Sequence, residues 1–134
     1  MREILFRGKQ TDKDKWIYGV PVKATEVDES EILIIESVFK CDEYLCRGCE
    51  FTPVIPKTVG QFTGLTANGT KIYEGDIIDI HYENTIVRDA VVKYIGASFY
   101  GETVADTWEL DDYYKIEVIG NIHDNPELLR GDEK

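Results

Sequence analysis

Three cysteines, Cys41, Cys46 and Cys49, stand in a C-x4-C-x2-C run, and thiolates at the x2 spacing can grip one metal ion. Cys41 would add a third ligand, and Asp42, Glu43, His81 or His123 a fourth. A structural zinc site ordinarily shows two paired knuckles, and here the second pair is missing. A Cys46–Cys49 redox pair is opposed by Glu43 and Glu50, whose charge raises thiol pKa values, and by the lack of a βαβ pattern. The run reads as reduced cysteines on a loop, with neither metal nor cofactor expected.

The other chemistry-bearing residues are sparser. His81 lies two residues from Asp79 on one face of a predicted strand, the spacing of an acid/base pair, although a partly exposed strand histidine paired with a carboxylate is the commoner arrangement. His123-Asp124 falls in a loop. The groups Glu74, Asp76, Asp79 and Asp106, Glu109, Asp111, Asp112 carry enough acid for Ca²⁺ or Mg²⁺ but lack EF-hand spacing, so they read as solvated faces. No GxGxxG, P-loop or nucleophile elbow surrounds Gly60, Gly64, Ser30, Ser37 or Ser98. The chain is expected not to be an enzyme, and a small metal-dependent hydrolase is the one enzymatic class these groups leave open.

The elements that position these residues are strands. Ile4 and Phe6 alternate in Arg2 to Lys9, the polar run Thr11 to Lys15 makes a loop, and Trp16, Tyr18, Val20 and Val22 return in phase, an N-terminal hairpin. Ile32 to Lys40 reads as a β-branched strand. Pro53 and Pro56 remove ladder donors and suit an edge or a crossing.

Val59 to Thr66 and Thr70 to Tyr73 flank Asn68-Gly69, the strongest short hairpin signal, because both residues tolerate positive φ. Glu74-Gly75-Asp76 is a tight turn into Ile77 to Tyr82. Ile86 to Ile95 has apolar residues on both phases, which predicts a bulge or two-sided burial. A hairpin from Gly96 to Leu110 and a closing strand from Ile116 to Ile122 follow. Asp106 to Tyr114 also fits a short helix, with strand equally supported by Trp108, Tyr113 and Tyr114. Asn125, Pro126 and Glu127 predict a cap and a short C-terminal helix of about one turn before Gly131. Short strands with frequent turns favour a small barrel or a strongly curved sheet.

Three strings, REILFRGKQTDKDKWIYG, TVGQFTGLTANGTKIYEGDII and IEVIGNIHDNPELL, together resemble the YopX family of phage and prophage proteins nearly end to end. The resemblance implies a mainly β fold with an SH3-like barrel in the C-terminal part. It also implies a phage-encoded accessory protein, with no catalytic residues to carry over. A single domain with two sub-structures, about 1–58 and 59–134, is expected. The matching positions Gly60, Gly64, Asn68, Gly69, Gly75, Asp76, Asn125 and Pro126 read as turn and cap positions. The cysteine run departs from the family pattern.

Net charge is -11, and it is uneven: residues 1–23 carry six bases against three acids, residues 26–50 eight acids against two bases, and residues 102–117 six acids against one base. Such a field disfavours anionic membranes and direct binding to nucleic acid. The longest dense apolar stretch, Ile32 to Ile35, is far short of the roughly 20 residues that span a bilayer, and the N-terminus lacks a signal-peptide core, which points to the cytoplasm of the host cell. Aromatic residues from Trp16 to Tyr114 outnumber what a small core buries, so some should face a partner. The expected function is non-enzymatic, through protein–protein contacts with an unidentified partner and through homo-oligomers. The alternative is an acidic inhibitor or regulator of a host nucleic-acid enzyme that mimics DNA charge.

Overall fold

The computed structural model describes residues 4–23, 32–35, 51–111 and 114–133. The chain divides into two compact units, Met1–Gln61 and Phe62–Lys134. The architecture is mainly β, and every strand pair is antiparallel.

In the first unit, β1 (Phe6–Lys9) and β2 (Trp16–Lys23) form the N-terminal hairpin, pairing Phe6 with Gly19 and Lys9 with Trp16. The polar loop between them closes through Gln10 N–H donating to Lys15 O at 2.9 Å. Next come β3 (Ile32–Ile35) and β4 (Phe51–Val54), giving the order β4-β3-β2-β1, with Gly60–Gln61 at the start of β5 (Gly60–Ala67) added beside β1. Pro53 sits in β4, the end strand, where its missing N–H costs no central ladder bond. The buried cluster of this unit is small, Ile17 and Val54 with Val59 against them. A polar clasp supplements it: the Thr58 hydroxyl, in the 3-10 turn Pro56–Thr58, donates to Ile55 O at 2.6 Å and accepts Lys9 N–H at 2.8 Å.

In the second unit, the rest of β5 pairs with β6 (Thr70–Tyr73) through the Asn68-Gly69 turn, whose φ values of 52° and 83° are those that a two-residue hairpin turn requires. A five-stranded sheet follows, built from β7 (Asp76–Tyr82), β8 (Thr85–Ile95), β9 (Ser98–Glu102), β10 (Thr107–Glu109) and β11 (Lys115–Asn121) in the order β10-β9-β8-β7-β11. Ile72, Ile78, Ile80, Ala90 and Val92 are at most 1% exposed and form the centre of its core, ringed by Ala67, Phe99, Leu110 and Ile116. Gly101 makes this packing possible, since a Cβ there would lie 3.0 Å from Ile80 Cδ1 and 3.2 Å from Ala90 Cβ.

Two expectations are corrected. The described strands close no barrel, because the end strands β10 and β11 do not pair with each other; the sheet is open, so the SH3-like barrel is not formed. The short C-terminal α-helix is absent as well, and Pro126–Glu133 takes 3-10 turns instead. Asn125 explains part of this. Its Oδ1 turns back to accept Asn121 N–H at 3.2 Å, so the side chain ties the segment to the end of β11. Of the two readings open for Asp106 to Tyr114, strand is the one found over Thr107–Glu109, where it completes the expected hairpin with β9. The bulge expected in Ile86 to Ile95 is present: Ile78 faces Ala90 while Ile80 faces Val87, so β8 has one residue more than β7 over this interval.

Candidate functional site

Cys41, Cys46 and Cys49 lie outside the described residues. Among the described residues, no group of three or more His, Cys, Asp or Glu side chains is arranged to hold a metal ion.

The Asp79 and His81 pair separates. His81 Nε2 meets Glu117 Oε1 at 2.9 Å across to β11, while the Asp79 carboxylate accepts Asp89 N–H at 3.1 Å and lies 3.6 Å from Arg88 Nη1. Register explains the exchange: Lys115 stands opposite His81 and Glu117 opposite Asp79, so Glu117 is the diagonal neighbour within reach of the imidazole. Both His81 and Glu117 are substantially exposed, 29% and 50% at the side chain, so the contact lies on the sheet surface and is screened by water. Asp79 instead has a backbone role, filling the hydrogen-bonding need of the bulge. Glu117 was legible only once the register of β11 was known.

The turn and cap positions behave as follows. Gly64, Gly69 and Gly75 have φ of 91°, 83° and 88°, and Asn68 has 52°. The buried Asp76 accepts Tyr73 N–H through Oδ2 at 2.8 Å, closing the Glu74-Gly75 turn from within. Gly75 N–H donates to Val92 O, and Ile122 N–H to Gly75 O, both at 2.9 Å. Gly60 is buried and extended in β5, and its partner is Arg7. Beyond β11, Asn121 Oδ1 accepts His123 N–H and Asp124 N–H at 3.0 and 2.9 Å, so His123-Asp124 belongs to a closed loop.

The first unit also carries a surface feature. Along β2 the odd phase turns inward, with Ile17 4% exposed, and the even phase turns outward, with Tyr18 46% and Val20 42% exposed. Trp16, also even, lies under the Arg7 guanidinium, 4.5 Å from its ring centroid. Both phases of β2 are therefore apolar, and the aromatic one faces solvent. In the second unit Tyr94 meets Phe99 at a tilt of 57° with centroids 4.9 Å apart, and Tyr114 meets Tyr82 and Trp108 edge-on at 5.4 and 6.5 Å. Several aromatics of this unit are thus occupied with one another.

No helix of the described residues is long and apolar enough to cross a membrane. The family model described as YopX protein matches residues 5–130. No curated protein matches the chain, and no solved structure does. With nearly its whole length matched, the chain belongs to the YopX family.

Proposed function

We propose that this YopX-family chain is a non-enzymatic phage or prophage accessory protein that acts in the host cytoplasm through protein–protein contacts and self-associates. The observation that carries this reading is the outward phase of β2, which leaves Tyr18 and Val20 side by side in solvent at 46% and 42% exposure. Neighbouring apolar side chains on one strand face gain free energy when a second surface removes them from water, about 25 cal/mol for each Å² buried. Tyrosine adds a hydroxyl that tolerates both the wet and the covered state.

Light scattering across a dilution series tests the reading. The expected result is a mass above the monomer that falls on dilution, and a lower mass at equal concentration for the double variant Tyr18→Ser with Val20→Ser. A strictly monomeric mass at high concentration contradicts it.

A second reading, an acidic inhibitor or regulator of a host nucleic-acid enzyme, draws on the net charge of -11. It predicts salt-sensitive binding to a basic host protein.

A further inference from the structure

Within the second unit, the bulge of β8 opens onto a cavity of about 440 Å³. Asp89, Arg88 and Glu102 form its polar side, and Val91, Val104 and Leu128 its apolar side. The charges are unequally occupied. Arg88 points its guanidinium at Asp79, 3.6 Å away, and Glu102 is paired with Lys93 at 2.5 Å. The half-buried Asp89 carboxylate makes no hydrogen bond or ion pair with the described residues; only its backbone N–H is engaged, by Asp79.

The backbone holds Asp89 in place at φ 56°, a conformation that side-chain-bearing residues other than Asn and Asp seldom take. The apolar side is equally fixed. A Cβ on Gly120 would lie 3.0 Å from Leu128 Cδ1, so the bare glycine backbone seats Leu128. The Thr103 hydroxyl accepts Ala105 N–H and Asp106 N–H at 3.2 and 3.1 Å, a closed turn that leaves Val104 fully in solvent at the rim.

We propose that this groove receives a basic side chain, Lys or Arg, from a segment of a partner protein. Its aliphatic stem would lie along Val91, Val104 and Leu128, and its cation would meet the Asp89 carboxylate. Long basic side chains have this divided character, an apolar stem with a charged head. A chain of net charge -11 also draws basic partners toward it before contact. The assignment rests on the reading that the protein works through protein contacts. It concerns a different surface from the Tyr18 and Val20 face, so a monomeric chain that still binds here removes self-association and leaves the groove intact.

The test is an NMR titration of the full chain with the peptide Gly-Ala-Lys-Leu-Ala-Gly, followed through backbone amides. Saturable shifts centred on Asp89, Val104 and Leu128 are expected. Asp89→Asn, which suits the same backbone conformation and removes the charge, should weaken binding about fivefold, as should norleucine in place of the peptide lysine. Val104→Ser should weaken it too, while Glu109→Gln, on exposed β10, should leave it unchanged. No shift at peptide concentrations of about 1 mM overturns the proposal. So does equal weakening by Asp89→Asn and Glu109→Gln, which would mean diffuse charge attraction. Concentration-dependent shifts at the same amides without peptide would assign the groove to a second copy and likewise overturn it.

Discussion

The two units satisfy the same requirement, burying one face of a sheet, by unequal means. The second unit places five side chains at 1% exposure or less in one continuous core, with four more around them. The described part of the first unit buries Ile17 and Val54, with Val59 against them, and adds a hydroxyl clasp and a guanidinium on an indole. The second unit fills a large core and still exposes Tyr94, Ile95 and Val104, whereas the first fills a small one and sets Tyr18 and Val20 together on the outward phase of a single strand. A strand apolar on both phases is unremarkable when both faces are covered, but here one face meets water.

Each unit contains one tryptophan, Trp16 or Trp108, so urea unfolding of single-tryptophan variants can read the units separately. The largest effect is expected for Ile80→Ala, a loss of about 4 kcal/mol in the transition seen by Trp108, because a fully buried side chain leaves a cavity in a packed core. Ile17→Ala, in the smaller cluster that can relax toward solvent, should cost about 2 kcal/mol in the transition seen by Trp16. A cost for Ile17→Ala equal to that for Ile80→Ala would erase the contrast.

Intermediate effects sharpen it. Gly101→Val should lower stability by about 2 kcal/mol, since its Cβ begins 3.0 Å from Ile80 Cδ1, while crystallography of the variant would show which neighbour moves. Thr58→Ala should cost about 1.5 kcal/mol by removing the acceptor of Lys9 N–H and the donor to Ile55 O. The smallest effect belongs to Glu117→Gln. Its exposed contact with His81 is worth at most about 0.5 kcal/mol, and thermal melts should barely distinguish it from the parent.

What the sequence disclosed follows the range of the interactions involved. The Asn68-Gly69 turn was legible because positive φ at adjacent residues is a local demand that few residue pairs meet. The bulge in β8 was legible because apolar residues on both phases require a break in alternation. The inward phase of β2 was not, since Trp16, Tyr18 and Val20 look as apolar as Ile17 and only the placement of Val54 decides between them. Closure of a barrel was likewise illegible, as it depends on whether strands far apart in sequence meet. Asp89 gave no signal at all: an aspartate in a strand pattern reads as surface charge until the bulge gives it a left-handed backbone.

The central claim is that the outward face of β2 is a contact surface, whereas β7 belongs to the fold alone. Hydrogen–deuterium exchange of the parent chain at low and high protein concentration tests it most directly. The account predicts that protection of the amides from Trp16 to Lys23 rises with concentration while those of Ile78 and Ile80 stay constant. Identical protection of the β2 amides at every concentration would contradict it.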